Sequence, residues 1–153
     1  MTPSAHVPSA PVDAPGFYHV CFVVPDLDAA MRELTELVGV RFGEPVHDQL
    51  GPWPYSIVFT DQAPYIELIS SIEGSPWETD TARFHHLGWW TSCLGDTIEA
   101  WGTQGARMHF DGRELGRRFA YVDAPHSGVR LEIVDAAQRD VFLRKWASIQ
   151  PDQ

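Results

Sequence analysis

The sequence predicts an α+β domain made of two tandem βαβββ modules, and three observations carry that prediction. The order strand, helix, strand, strand, strand occurs twice along the chain. A His stands near the start of the first strand of each half, and a Glu in the middle of each last strand. The halves align with little slippage: Tyr18-His19-Val20 falls on His85-His86-Leu87 at an offset of 67, and Tyr65-Ile66-Glu67-Leu68-Ile69 on Arg130-Leu131-Glu132-Ile133-Val134 at an offset of 65.

Residues 1–16, rich in Pro, Ala and Ser and without a period, are expected to form a flexible N-terminal tail. The domain then spans 17–135, with modules at 17–72 and 84–135. Phe17 to Val24 has strand composition and stops at Pro25, which has no N–H to give a ladder. Asp26 can cap a helix whose apolar face is Leu27, Ala30, Met31, Leu34 and Val38, and Gly39 ends it. A short strand at Val40 to Phe42, a loop through Gly51 and Pro54, and strands near Tyr55 to Thr60 and Tyr65 to Ser70 complete the first module.

In the second module a strand from His85 to Ser92 leads into a helix from about Gly95 to Gln104, with Ile98 and Trp101 on its apolar face. Strands near Ala106 to Phe110, Arg117 to Asp123 and Val129 to Val134 follow, with Gly105, Gly112 and Gly128 at the turns. Residues 136–153 hold an amphipathic helix, Ala136 to Ile149, and a tail. Val141, Phe142, the Lys145 stem, Trp146 and Ile149 share one helix face, expected to pack on the outside of the domain.

An apolar fraction of 44% is enough to fill the core of a 153-residue chain. The formal charge of −10, with Lys145 as the single Lys, opposes a phosphate backbone, so nucleic acid is not an expected partner. No apolar run approaches the roughly 20 residues that span a bilayer, and the start lacks a signal-peptide pattern, so a cytoplasmic protein without a membrane partner is expected. Cys21 and Cys93, too few for a disulfide framework, are expected to be free, buried thiols.

Each duplicated Glu stands where a half-buried strand would ordinarily present an apolar residue. A carboxylate turned into the sheet's interior loses hydration, and a divalent cation would offset two at once. His19, Glu67, His86 and Glu132 together form a nitrogen and oxygen donor set suited to one divalent metal ion: zinc, nickel, cobalt, manganese or ferrous iron. His85 competes with His86, but the duplication aligns His86 with His19, and strand alternation then turns His85 toward the helix side.

The string His19-Val20-Cys21-Phe22-Val23-Val24-Pro25-Asp26-Leu27-Asp28-Ala29-Ala30 resembles the opening of a vicinal-oxygen-chelate module, as does Val38-Gly39-Val40-Arg41-Phe42. Phe84-His85-His86-Leu87-Gly88 and Asp123-Ala124-Pro125-His126-Ser127-Gly128-Val129-Arg130-Leu131-Glu132 resemble it again, so that the likeness covers about residues 17 to 135. The resemblance implies paired modules forming an open, cupped mixed sheet with the metal inside, commonly in a homodimer. A His, Glu, His, Glu tetrad is similar to that of glyoxalase I, and methylmalonyl-CoA epimerases are similar with Gln or Glu at the second position. Extradiol dioxygenases resemble the fold but use two His and one Glu, and bleomycin-type sequestration proteins lack the ligands.

The function this implies is a metal-dependent isomerase, epimerase or lyase acting by proton transfer beside a polarised carbonyl or enediolate, with Glu67 and Glu132 as catalytic acid and base. The alternatives are a ferrous extradiol-type dioxygenase and a small-molecule sequestration protein. Trp53, Tyr55, Trp90 and Tyr121 are candidates to line an apolar pocket. Arg117 and Arg118, with Arg113 nearby, are candidates to hold an anionic group, so the partner is a small molecule of aromatic or acidic character.

Overall fold

The computed structural model describes residues 16–147. The expected tail lies outside them except for Gly16, as does Ile149. The first module comprises β1 (Phe17–Val24), α1 (Leu27–Val38), β2 (Val46–Leu50), β3 (Trp53–Phe59) and β4 (Tyr65–Ser70). The second comprises β5 (Arg83–Thr91), α2 (Leu94–Thr103), β6 (Arg107–Asp111), β7 (Phe119–Ala124) and β8 (Val129–Asp135), and α3 (Arg139–Trp146) follows. Among the described residues no helix is long and apolar enough to cross a membrane.

The strands form one open, curled mixed sheet in the order β2-β3-β4-β1-β5-β8-β7-β6. Its centre is an antiparallel β1–β5 seam between the modules, flanked by β4 parallel to β1 and β8 parallel to β5. The two innermost strands therefore carry the His residues, and the next strand on either side carries a Glu.

Asp26 caps α1 by accepting from the Ala29 N–H at 3.0 Å, and Gly39 ends it at φ 74°, a left-handed turn suited to glycine. Leu27, Ala30, Met31 and Leu34 pack against Val24 and Leu68, whereas Val38 is exposed and off that face. Ile98 and Trp101 of α2 pack against Val122 and Ile133.

Three expectations need correction. The expected strand Val40 to Phe42 is reduced to a single bridge from Phe42 to Thr60, and the second strand lies instead at Val46–Leu50, in the expected loop. That strand is a sheet edge with His47, Asp48 and Gln49 turned to solvent, so it has no apolar alternation to betray it. Cys93 is exposed, because it stands at the start of α2 outside its packed face. Finally, α3 does not lie on the outside: Phe142 and Trp146, one turn apart, are buried against Phe59 from within the concave side.

Candidate metal centre

Two-residue alternation brings His19 and Cys21 of β1, Glu67 and Ile69 of β4, His86 and Gly88 of β5, and Glu132 and Val134 of β8 to the concave face. The four duplicated residues converge there. His19 Nε2 lies 2.9 Å from His86 Nε2. It is 3.8 Å from Glu67 Oε2 and 3.4 Å from Glu132 Oε1. His86 Nε2 is 3.6 Å from Glu67 Oε1 and 3.7 Å from Glu132 Oε1.

The β1–β5 seam contains two register shifts, one at Tyr18 and one at His85, the residues just before the two histidines. Each is a β-bulge, an extra residue that interrupts alternation. The bulge overturns the expected orientation of His85. Instead of turning to the helix side, it sits beside His86, with the Nδ1 atoms 2.7 Å apart and its Nε2 2.9 Å from the Pro76 carbonyl.

Polar groups stand beside the carboxylates. Tyr121, whose hydroxyl accepts from Trp77 Nε1–H at 2.9 Å, stands near Glu132, and Cys21 near Glu67. Burial pushes Glu67 up to about 7 and holds Glu132 well above the usual carboxylate range, with the Glu67 charge adding to the rise. Burial lowers His19 to about 3 and His86 well below its ordinary value. Neutral imidazoles are the form in which histidine ligates metal, and two buried carboxylates without a cation are strained toward protonation. The donor set fits a divalent ion: donor atoms of His19, His86 and Glu132 lie within 4.8 Å of one another, and Glu67 approaches both imidazoles as the fourth candidate.

Above the cluster lies a cavity of about 790 Å³. Glu67 and Glu132 line it, whereas His19 and His86 are buried beneath it. Of the expected pocket residues, Tyr55, Trp90, Tyr121, Arg117 and Arg118 line it. Trp53 does not, packing instead beside Phe110. Arg113 is engaged by Asp111 at 2.9 Å, away from the cavity. Arg117 bonds to Asp48 and the Gln49 carbonyl, tying the second module to β2, while the Arg118 side chain is 62% exposed. Tyr18, Phe59, Trp77, Phe142 and Trp146 also line the cavity, a place the sequence reading does not give them. For the last two, their spacing on the amphipathic helix was the available signal.

An open, curled sheet of paired βαβββ modules with a cavity over the converging residues defines the duplicated-module architecture. The chain belongs to the Glyoxalase/Bleomycin resistance protein/Dioxygenase superfamily, whose model matches residues 18–121. No curated protein matches by sequence. Among solved structures, methylmalonyl-CoA epimerase from Mycobacterium tuberculosis is similar with a TM-score of 0.62 at 18% identity, covering 85% of this chain and 93% of that one. Methylmalonyl-CoA epimerase from Streptomyces coelicolor in complex with 2-nitronate-propionyl-CoA gives 0.59 at 17%, covering 78% and 95%. A hypothetical protein from Bacillus halodurans gives 0.62 at 15%, covering 90% and 97%. At these identities the likeness is one of fold.

Proposed function

We propose that the protein is a divalent-metal-dependent isomerase or epimerase that moves a proton at the carbon beside a carbonyl of a small apolar, acidic compound. The observation that carries this reading is that the two carboxylates of the converging tetrad, and not the two histidines, face the cavity. When bound, the metal supplies Lewis acidity, polarising the carbonyl and making the adjacent C–H more acidic.

The chain's own residues do the rest. Glu67 and Glu132 come from β4 and β8, on opposite flanks of the seam, so they reach a substrate over the cluster from two sides. One takes the proton and the other returns it. Tyr121, itself fixed by Trp77, and Cys21 flank the carboxylates. Tyr18, stacked on Trp90 at 3.8 Å, and Phe142 present an aromatic wall that excludes water from the reacting carbon. Arg118 and Arg117 at the rim receive an anionic group of the substrate.

Elemental analysis of untagged protein, followed by α-deuteration of 2-substituted acyl thioesters and α-hydroxy carbonyls in D₂O, tests the proposal. One equivalent of metal and metal-dependent exchange are expected. Absence of metal from the purified protein, together with no zinc, nickel, cobalt or manganese binding on titration, would sink it.

A further inference from the structure

We propose that the connector between the modules dictates which nitrogen of His86 faces the metal position, with Pro76 as the origin of the instruction and His85 as the positioning residue that carries it. The proposal deepens the metal reading and rests on it for its purpose. The Pro76 carbonyl has only lone pairs to offer, so His85 Nε2, 2.9 Å away, donates to it; Arg130 Nη1, which can only donate, makes the longer competing contact to the same atom at 3.4 Å. A neutral His85 then has its lone pair on Nδ1. His86 Nδ1 lies 2.7 Å from that lone pair and must supply the hydrogen. What remains on His86 is an unprotonated Nε2, the atom that faces His19 and both carboxylates.

The bulge at His85 makes this chain possible, because regular alternation would put neighbouring side chains on opposite faces. The surroundings favour the neutral form of His85. Arg130 Nη1 lies 3.4 Å from its Nε2, while the guanidinium is directed to Asp123, with Nε at 2.9 Å and Nη2 at 3.4 Å. A second positive charge on the buried ring would face that guanidinium. The same cation opposes a second metal on Cys21, His85 and His86, although their donor atoms lie within 4.8 Å of one another.

His19 has no such device. The residue at its bulge is Tyr18, which meets the His19 ring edge-on at 4.3 Å, and His19 Nδ1 has no hydrogen-bond partner among the described residues. In the metal-free protein His19 Nε2–H therefore donates to the fixed lone pair of His86. His86 is the anchored ligand, and His19 is the one whose tautomer changes when metal arrives.

Long-range ¹H–¹⁵N correlation spectra of the full chain, chelator-treated and zinc-loaded, test this directly. His86 is expected to be protonated at Nδ1 in both. His85→Gln, whose amide can accept from His86 and donate toward Pro76, should keep that state. His85→Phe, which cannot accept, should shift the metal-free His86 proton to Nε2 and weaken zinc binding about 10–100-fold, the usual effect of losing such an outer partner. Nε2 protonation in the metal-free wild type overturns the proposal, as does a His85→Phe protein whose tautomer and zinc affinity are unchanged. If His85→Phe does not fold, the wild-type and His85→Gln spectra decide alone. Nδ1 protonation in a wild type that binds no zinc supports the tautomer assignment and removes the proposed function instead.

Discussion

Gly88 and His19 face each other across the β1–β5 seam so closely that a Cβ on residue 88 would lie 1.9 Å from the imidazole Cε1. The duplication that aligns His19 with His86 also aligns Cys21 with Gly88, so each module brings a small residue to the partner module's histidine. Gly88→Ala should therefore displace the His19 ring. Overpacking of this kind costs about 1–3 kcal/mol, and metal binding should fall by at least tenfold. Denaturant unfolding and zinc titration measure the two effects; unchanged zinc affinity in a folded Gly88→Ala protein contradicts the packing described.

The tetrad should behave as one unit. Glu67→Gln and His86→Ala are each expected to reduce bound metal to a small fraction of an equivalent, while His126→Ala, in the turn between β7 and β8, leaves it unchanged. Elemental analysis of the three proteins decides the matter. Full occupancy in both tetrad variants contradicts a shared site.

Protonation links the site to stability. Glu67, raised by burial to about 7, and Glu132, raised by burial well above its ordinary value, favour folding below their ordinary 4.5, and this contribution is lost as pH climbs through the folded values. His19, lowered to about 3, and His86 act in the opposite sense, contributing fully above their ordinary 6.5 and losing the contribution as pH falls. The two trends oppose each other between those ordinary values. Above 6.5 only the carboxylate trend remains. Chelator-treated protein should accordingly lose thermal stability from about pH 6.5 to 8, and zinc should abolish the loss, since a cation offsets the carboxylate charges. A melting temperature that rises over that range without metal contradicts this balance.

Exchange chemistry separates the two carboxylates from mere ligands. Where Glu132→Gln protein retains metal, α-deuteration should slow by about 10²–10⁴, the contribution of a positioned acid or base. Oxygen uptake with catechols should be absent. Ring cleavage dependent on ferrous iron would place the chemistry in the dioxygenase class.

Phe142 closes the aromatic wall from α3, touching Tyr18, Phe59, Tyr65 and Trp90. Phe142→Ala should cost about 3 kcal/mol, the low end for a buried Phe, because one side of the ring already faces the cavity. Metal content should not change. A loss under about 1 kcal/mol would mean that α3 is not docked as described.

The tetrad was legible because duplication repeats chemical type as well as pattern: His19 with His86 and Glu67 with Glu132 stand at matching places in a repeated element order. The bulges were not legible. Nothing in Phe84-His85-His86 marks an extra residue, so alternation applied without one turns His85 to the wrong face. The edge strand Val46–Leu50 was hidden by its polar residues, and Gly51, read as part of a loop, is the hairpin turn with φ 55°. The helical face of Phe142 and Trp146 was visible, but an amphipathic stripe does not say which side of a curled sheet receives it.

The strand order places both histidines on the innermost pair and leaves β2 and β6 at the rims. Rim strands fray most readily, yet they carry none of the four converging residues. The tetrad over the seam therefore experiences none of the commonest openings of the sheet. Separation of β1 from β5, the rare event that also parts one half of the molecule from the other, is what would scatter the four residues. Fraying at either rim thus leaves the tetrad assembled, and slow hydrogen exchange at the seam amides is the readout of its integrity.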